Sequence, residues 1–162
     1  MRRNRNTPGF TAIETMITIG MLAFLVTLGV PLLRTWMQSA HQREAAGLLR
    51  EALGRAKALA LHNQQASASQ TQPAAAVCFS GGKLAVVAGK AQGATCDAKA
   101  EWTRPVPADA SIVLTLTNIP FQCVAYNAHG VALVTTVSNL SCSQAALDVN
   151  VASEEAFNVP LP

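Results

Sequence analysis

The feature that most restricts this chain is a run of 19 residues without a formal charge, Thr15 to Leu33, bounded by Glu14 on one side and Arg34 on the other. An α-helix needs about 20 apolar residues to cross the hydrocarbon of a bilayer, so the run is long enough for one span. Arg2, Arg3 and Arg5 precede it, with no acidic residue before Glu14. Positive charge favours the cytoplasmic side. The expected topology is therefore a short inner N-terminus, one transmembrane helix, and the remaining residues beyond the membrane.

Glu14 sets this span apart from a plain anchor. A carboxylate at the lip of an apolar helix is costly unless it finds a partner, which makes it a functional residue by default. A cut between Gly9 and Phe10 would create a free α-amine four residues before Glu14, expected on the same helical surface. Such an amine, on this chain or on a neighbour packed alongside, would neutralise the carboxylate in a low dielectric. An ordinary secretory signal peptide is a poorer reading. It calls for a shorter apolar core of roughly 7 to 15 residues and a small-residue cleavage site, and the nearest candidate, Ser39-Ala40, follows Arg34 and Trp36.

Gly9-Phe10-Thr11-Ala12-Ile13-Glu14, after a short basic leader and before an apolar helix containing Pro31, resembles the N-terminal signal of type IV pilins and type II secretion pseudopilins. Ala12 and Thr15 depart from the family pattern, where leucine is usual. The resemblance implies that a prepilin peptidase cuts between Gly9 and Phe10 and N-methylates Phe10. It also implies that Glu14 pairs with the amine of the adjacent subunit in a helical filament. Pro31, lacking a backbone donor, is expected to kink the helix near the outer membrane face.

The rest of the chain fits one compact domain attached to that helix. Past Arg34 the helix is expected to continue in amphipathic form to about Leu61, with Ala45, Leu49, Ala52, Ala56 and Leu59 on one stripe and Glu51 paired with Arg55 at i, i+4. His62 to Ala76, rich in Gln, Ser and Ala, reads as a connecting loop. Beyond it the hydrophobic period changes to two, at Ile112, Leu114 and Leu116 and again at Leu147, Val149 and Val151. Two hairpins are expected, one around Ser80-Gly81-Gly82-Lys83 and one joining Phe121–Tyr126 to Val131–Val137 through Asn127-Ala128-His129-Gly130. The expected fold class is α+β: a cleaved leader over 1–9, a transmembrane and amphipathic helix over 10–62, and a periplasmic domain over 63–162 built on one mostly antiparallel sheet with the helix across one face. This order of elements resembles the pilin fold. The glycine-ended turn of the penultimate hairpin resembles the GspH and FimT branch, which includes FimU-like minor pilins.

Cys78, Cys96, Cys123 and Cys142 all fall in the domain expected outside the cytoplasm. An even number in an oxidising compartment favours two disulfides. Three connectivities exist. Cys78 with Cys96 and Cys123 with Cys142 are chosen because each closes a short loop, and each bridge is worth roughly 3 kcal/mol. Zinc is the rival, but no pair has C-x2-C spacing, so no metal is expected. His41, His62 and His129 are scattered, with no Ser, Asp or Cys at a triad spacing, and Gly81-Gly82-Lys83 lacks the upstream glycine of a phosphate loop. Trp36 suits the headgroup region, and Trp102 reads as sheet core. No enzyme and no cofactor is expected.

Net charge is +3, and the three leader arginines account for all of it. From Val77 onward there are four basic and six acidic residues, so a nucleic-acid surface is not expected. The resemblance implies a minor pilin that primes type IV pilus assembly and joins tip pilins to the shaft. Its implied partners are other minor pilins, the major pilin, the prepilin peptidase, the inner-membrane assembly platform and the membrane itself. It implies residence in the inner membrane and then at the pilus tip. The alternatives are an H-type pseudopilin of type II secretion and a FimT-like DNA-uptake pilin. The acidic C-terminal segment with Glu154 and Glu155 disfavours the last, because phosphate contacts need basic residues.

Overall fold

The computed structural model describes residues 10–63, 71–89, 94–96, 99–152 and 154–162, with the side chains of Pro31 and Leu32 excepted. Residues 1–9, the expected leader, with Gly9 among them, lie outside the described residues, as does the side chain of Pro31 on which the expected kink rests. The chain divides into two units, the first ending at Met37 and the second spanning Gln38–Pro162. One helix, α1 (Ala12–His62, 51 residues), supplies residues to both.

In the first unit the helix stands without protein cover. Ile13, Met16, Leu22, Phe24 and Leu28 are 60–74% exposed, and this stretch is long and apolar enough to cross a membrane. In the second unit the helix is amphipathic. Ala45, Ala46, Leu49, Ala52, Leu53, Ala56 and Ala60 are buried, a broader stripe than the one read from the sequence, with Leu59 only half-buried at its border. Five of the seven are alanine, so the helix backbone can approach the strands closely. Gln42 is buried too, and its Nε2 donates to the carbonyls of Val149 (2.9 Å) and Glu155 (2.6 Å). Those two bonds tie the start of the amphipathic half to the C-terminal strands.

Ten strands follow: β1 (Ala75–Ser80), β2 (Lys83–Ala88), β3 (Trp102–Pro105), β4 (Ala110–Leu114), β5 (Cys123–Tyr126), β6 (Ala132–Leu133), β7 (Thr135–Val137), β8 (Leu140–Cys142), β9 (Leu147–Val151) and β10 (Phe157–Val159). They form two sheets where one was expected. The larger runs β3-β2-β1-β5-β8-β7, with β6 also on β5; the smaller runs β10-β9-β4. The break falls where Pro105 and Pro107 deny the ladder its donors, and β4 then pairs with β9. All pairings are antiparallel except β5 with β8. One core joins α1 to both sheets through Val77, Val86, Val124, Tyr126, Ile112, Leu147 and Val149.

The first expected hairpin forms as β1 and β2, with Ser80 opposite Lys83. Gly81 and Gly82 take φ of +56° and +72°, the double left-handed turn that suits the twist of a two-residue hairpin. The second is shorter than expected. Only Ala132 and Leu133 pair with β5; Val134 turns outward at 76% exposure, and β7 pairs instead with β8. The reason is that Cys142 occupies the edge of β5 beside Cys123, leaving no room for a longer β6. Asn127 builds the intervening turn, its Oδ1 accepting from the amides of His129 (3.0 Å) and Val131 (2.9 Å). The strand predicted through Leu116 ends at Leu114, because Asn118 enters the left-handed region and its amide donates back to the Leu114 carbonyl (2.8 Å). Leu116 is left 88% exposed.

Tyr126 is fully buried, its hydroxyl has no hydrogen-bond partner among the described residues, and burial pushes its pKa up to about 12. An apolar replacement of the same shape removes an unpaired polar group. Tyr126→Phe is therefore expected to be as stable as the native chain or more stable by about 1 kcal/mol. Urea titration checks it; a clear loss of stability would mean that the hydroxyl is bonded.

Candidate processing and assembly site

The first unit is built around its helix start. Thr11 is the N-cap: its Oγ1 accepts the Glu14 amide at 3.3 Å, and its carbonyl accepts the amides of Glu14 (3.1 Å) and Thr15 (3.2 Å). Glu14 sits three residues after the cap, the Thr-x-x-Glu spacing of a capping box. An acid in a helix's first turn also faces the positive end of the dipole. The spacing is visible in the sequence, where Glu14 reads instead as the partner of an α-amine. Phe10 precedes the cap and is 83% exposed. It is thus not on the helical surface of Glu14, as the sequence reading had it, because the helix begins at Ala12. What this end offers is an accessible Phe10 and an exposed carboxylate at the entry of an uncovered apolar helix.

In the second unit the four cysteines form Cys78–Cys96 and Cys123–Cys142, with Cα separations of 5.8 and 4.4 Å. These are the two short-loop pairs. The strands place them in one cluster on the sheet face away from α1, with Ala76, Val87, Ala94, Ala125 and Val137. Among the described residues no group of three or more His, Cys, Asp and Glu side chains is placed to hold a metal ion.

The remaining polar features are surface ties. Arg55 pairs with Glu51 at 2.8 Å, as the spacing predicted, and its guanidinium also lies 5.7 Å from the centre of the Trp102 ring. Arg104 lies 5.9 Å from the same ring. Trp102 is consequently half-buried on edge strand β3 rather than deep in the core, and it borders a cavity of about 270 Å³ with His62 and Glu101. His129 is exposed at its turn.

His41 meets Asp109 at 2.9 Å, a pairing across 68 residues of chain that no local pattern announces. The hydrogen bond to the Asp109 carboxylate holds the imidazole above its ordinary pKa, and the same bond holds the carboxyl below its own. The sign follows from the two directions. The His41 contribution is complete below the ordinary histidine pKa of 6.5 and is lost as pH rises through the raised value. The Asp109 contribution is complete above 3.8 and is lost as pH falls through the lowered value. The native melting temperature is expected to drop slightly between pH 6 and pH 8.5 relative to Asp109→Asn, in which this step is absent. Parallel melting curves check it.

Compared with protein-family models, with curated proteins and with solved structures, the chain matches none.

Proposed function

We propose that this chain is a minor subunit of a type IV pilus, cut after Gly9, N-methylated at Phe10, and held in the fibre near its tip by Glu14. The observation that carries this reading is the helix start. A single carboxylate stands in the first turn of α1, directly before the uncharged stretch Thr15–Leu33, whose large apolar side chains are exposed among the described residues. A lone span in lipid needs no acid there, and an acid there is costly unless a cation meets it. A stack of such stalks from neighbouring subunits provides both requirements: apolar flanks for the exposed side chains and the amine of a neighbour for Glu14.

The second unit supports the same reading. Its two disulfides suit an oxidising compartment, and both sheets share one core with the amphipathic half of α1. Glu154 and Glu155 follow β9, and Arg55 and Arg104 are engaged at Trp102, so phosphate binding is not favoured. Chains of this kind prime assembly with other minor subunits. The test is to shear surface fibres from cells of the source organism and probe them with antibody to residues 38–162. The protein should be present in the fibre fraction in small amounts. Its confinement to the cell membrane, with fibres intact in a deletion strain, would overturn the reading.

A further inference from the structure

The two disulfides lie side by side in the sheet. Cys78 in β1 is directly opposite Cys123 in β5, and Cys123 is opposite Cys142 in β8. The amide of the next residue, Phe79, donates to the Gln122 carbonyl (2.8 Å), and the Ser143 amide donates to the Cys123 carbonyl (3.1 Å). The Cys78 and Cys123 backbones therefore point away from each other, which makes this a non-hydrogen-bonded antiparallel pair with Cα atoms about 4.5 Å apart. That separation lies within the range that a disulfide spans. Cys123 thus has two neighbours at bonding distance and is joined to only one.

Access to the cluster is uneven. Cys78, Cys123 and Cys142 are at most 3% exposed, whereas Cys96 is only partly buried. Cys96 and Cys78 border a cavity of about 330 Å³ with Lys83, Ser80, Thr103 and Ser138. The Lys83 ammonium gives this cavity a positive charge, which attracts an anionic thiol and favours thiolates. A second cavity, about 230 Å³, borders Cys123 and Cys142, but it is lined by Leu114, Ile119, Pro120 and Val134 with no cation among the described residues.

We infer that Cys78–Cys96 is the entry point of a thiol–disulfide relay that takes a small anionic thiol and unlatches the β7–β8 hairpin. The incoming thiolate attacks Cys96 Sγ, forms a mixed disulfide there and expels Cys78 as a thiolate. Cys78 then attacks Cys123 Sγ, forms Cys78–Cys123 and expels Cys142 as a thiolate, which takes a proton from solvent. Each step makes one S–S bond and breaks one, so no oxidant is needed. The outcome is a change in what is held. β8 meets β5 at a single register pair, Cys123 with Cys142, and once that bond moves to β1 the hairpin loses its covalent tie and is held by the packing of Val137 and Leu140 and by hydrogen bonds to its neighbours. These include the Ser143 amide on the Cys123 carbonyl, the Ser141 amide on Gln122 Oε1 and the Cys96 amide on Ser138 Oγ.

The test uses the full chain in detergent with reduced glutathione as the thiol, quenched at intervals with N-ethylmaleimide and mapped by peptide mass spectrometry. The expected early product carries glutathione on Cys96, maleimide on Cys142 and a Cys78–Cys123 bridge. Lys83→Gln is expected to form it about twofold to fivefold more slowly. Cys96→Ser, which frees Cys78 without any reagent, is expected to show the Cys78–Cys123 bridge with Cys142 open to maleimide. Maleimide on Cys78 with Cys123–Cys142 intact would overturn the relay, and glutathione found first on Cys123 or Cys142 would overturn the entry point.

Discussion

Glu14→Gln is expected to remove the protein from surface fibres while leaving the second unit as stable as before. Glutamine serves a capping box as well as glutamate does, so the Thr11 cap survives the change and the helix still starts at Ala12. What is lost is the charge. If a neighbour's amine depends on that charge in lipid, leaving it unpaired costs about 3–5 kcal/mol, more than a hundredfold in the population of assembled subunits. Glu14→Asp keeps the charge on a shorter arm and should retain part of the incorporation. Immunoblots of sheared fibres measure the effect, and melting curves of the same variants verify the domain. Wild-type incorporation of the glutamine variant would reduce Glu14 to a capping residue.

Gly89→Ala is expected to destabilise the second unit by about 3 kcal/mol, at the upper end of the usual cost of overpacking. A methyl group at that position would stand 2.6 Å from the Pro73 carbonyl oxygen, 2.8 Å from that of Ala74 and 2.9 Å from the Ala94 nitrogen. All three are backbone atoms, so no side chain can swing aside. The Gly89 amide already donates to the Ala74 carbonyl (2.7 Å), and Asn63, just past the end of α1, donates to the carbonyls of both Ala74 and Gly89. The methyl group would pry apart the point where the helix end, β1 and β2 meet. Gly54→Ala is the contrast, since nothing lies within 4 Å of its added carbon. It is expected to raise stability by up to about 1 kcal/mol. Urea titrations of the two variants check both signs.

How far the sequence reaches is clear from these two positions. Glu14 was legible because its signal is local: one charge, one uncharged run and a basic flank. The β1–β2 hairpin was legible for the same reason, since two consecutive glycines leave few alternatives. The period-two run of Leu147, Val149 and Val151 also located β9, whose alternate residues are buried. Gly89 was invisible because its importance comes from Pro73 and Ala94, which pack against it from elsewhere in the chain. Gln42 and the His41–Asp109 pair were missed likewise, their partners lying 68 or more residues away. The division into two sheets falls at Pro105 and Pro107, and no local pattern there says that the next strand pairs with β9. The short-loop pairing of the cysteines followed from chain entropy, but their alignment across β1, β5 and β8 emerges only from strand register.

The proposal as a whole turns on the fate of the first nine residues and the chemistry left at Phe10. Intact-mass and N-terminal peptide mass spectrometry of the protein isolated from its native membrane reads both at once. The account predicts a chain starting at Phe10 with one methyl group on its α-amine and two disulfides. A chain that keeps residues 1–9, or one that begins after Ala40, would contradict it.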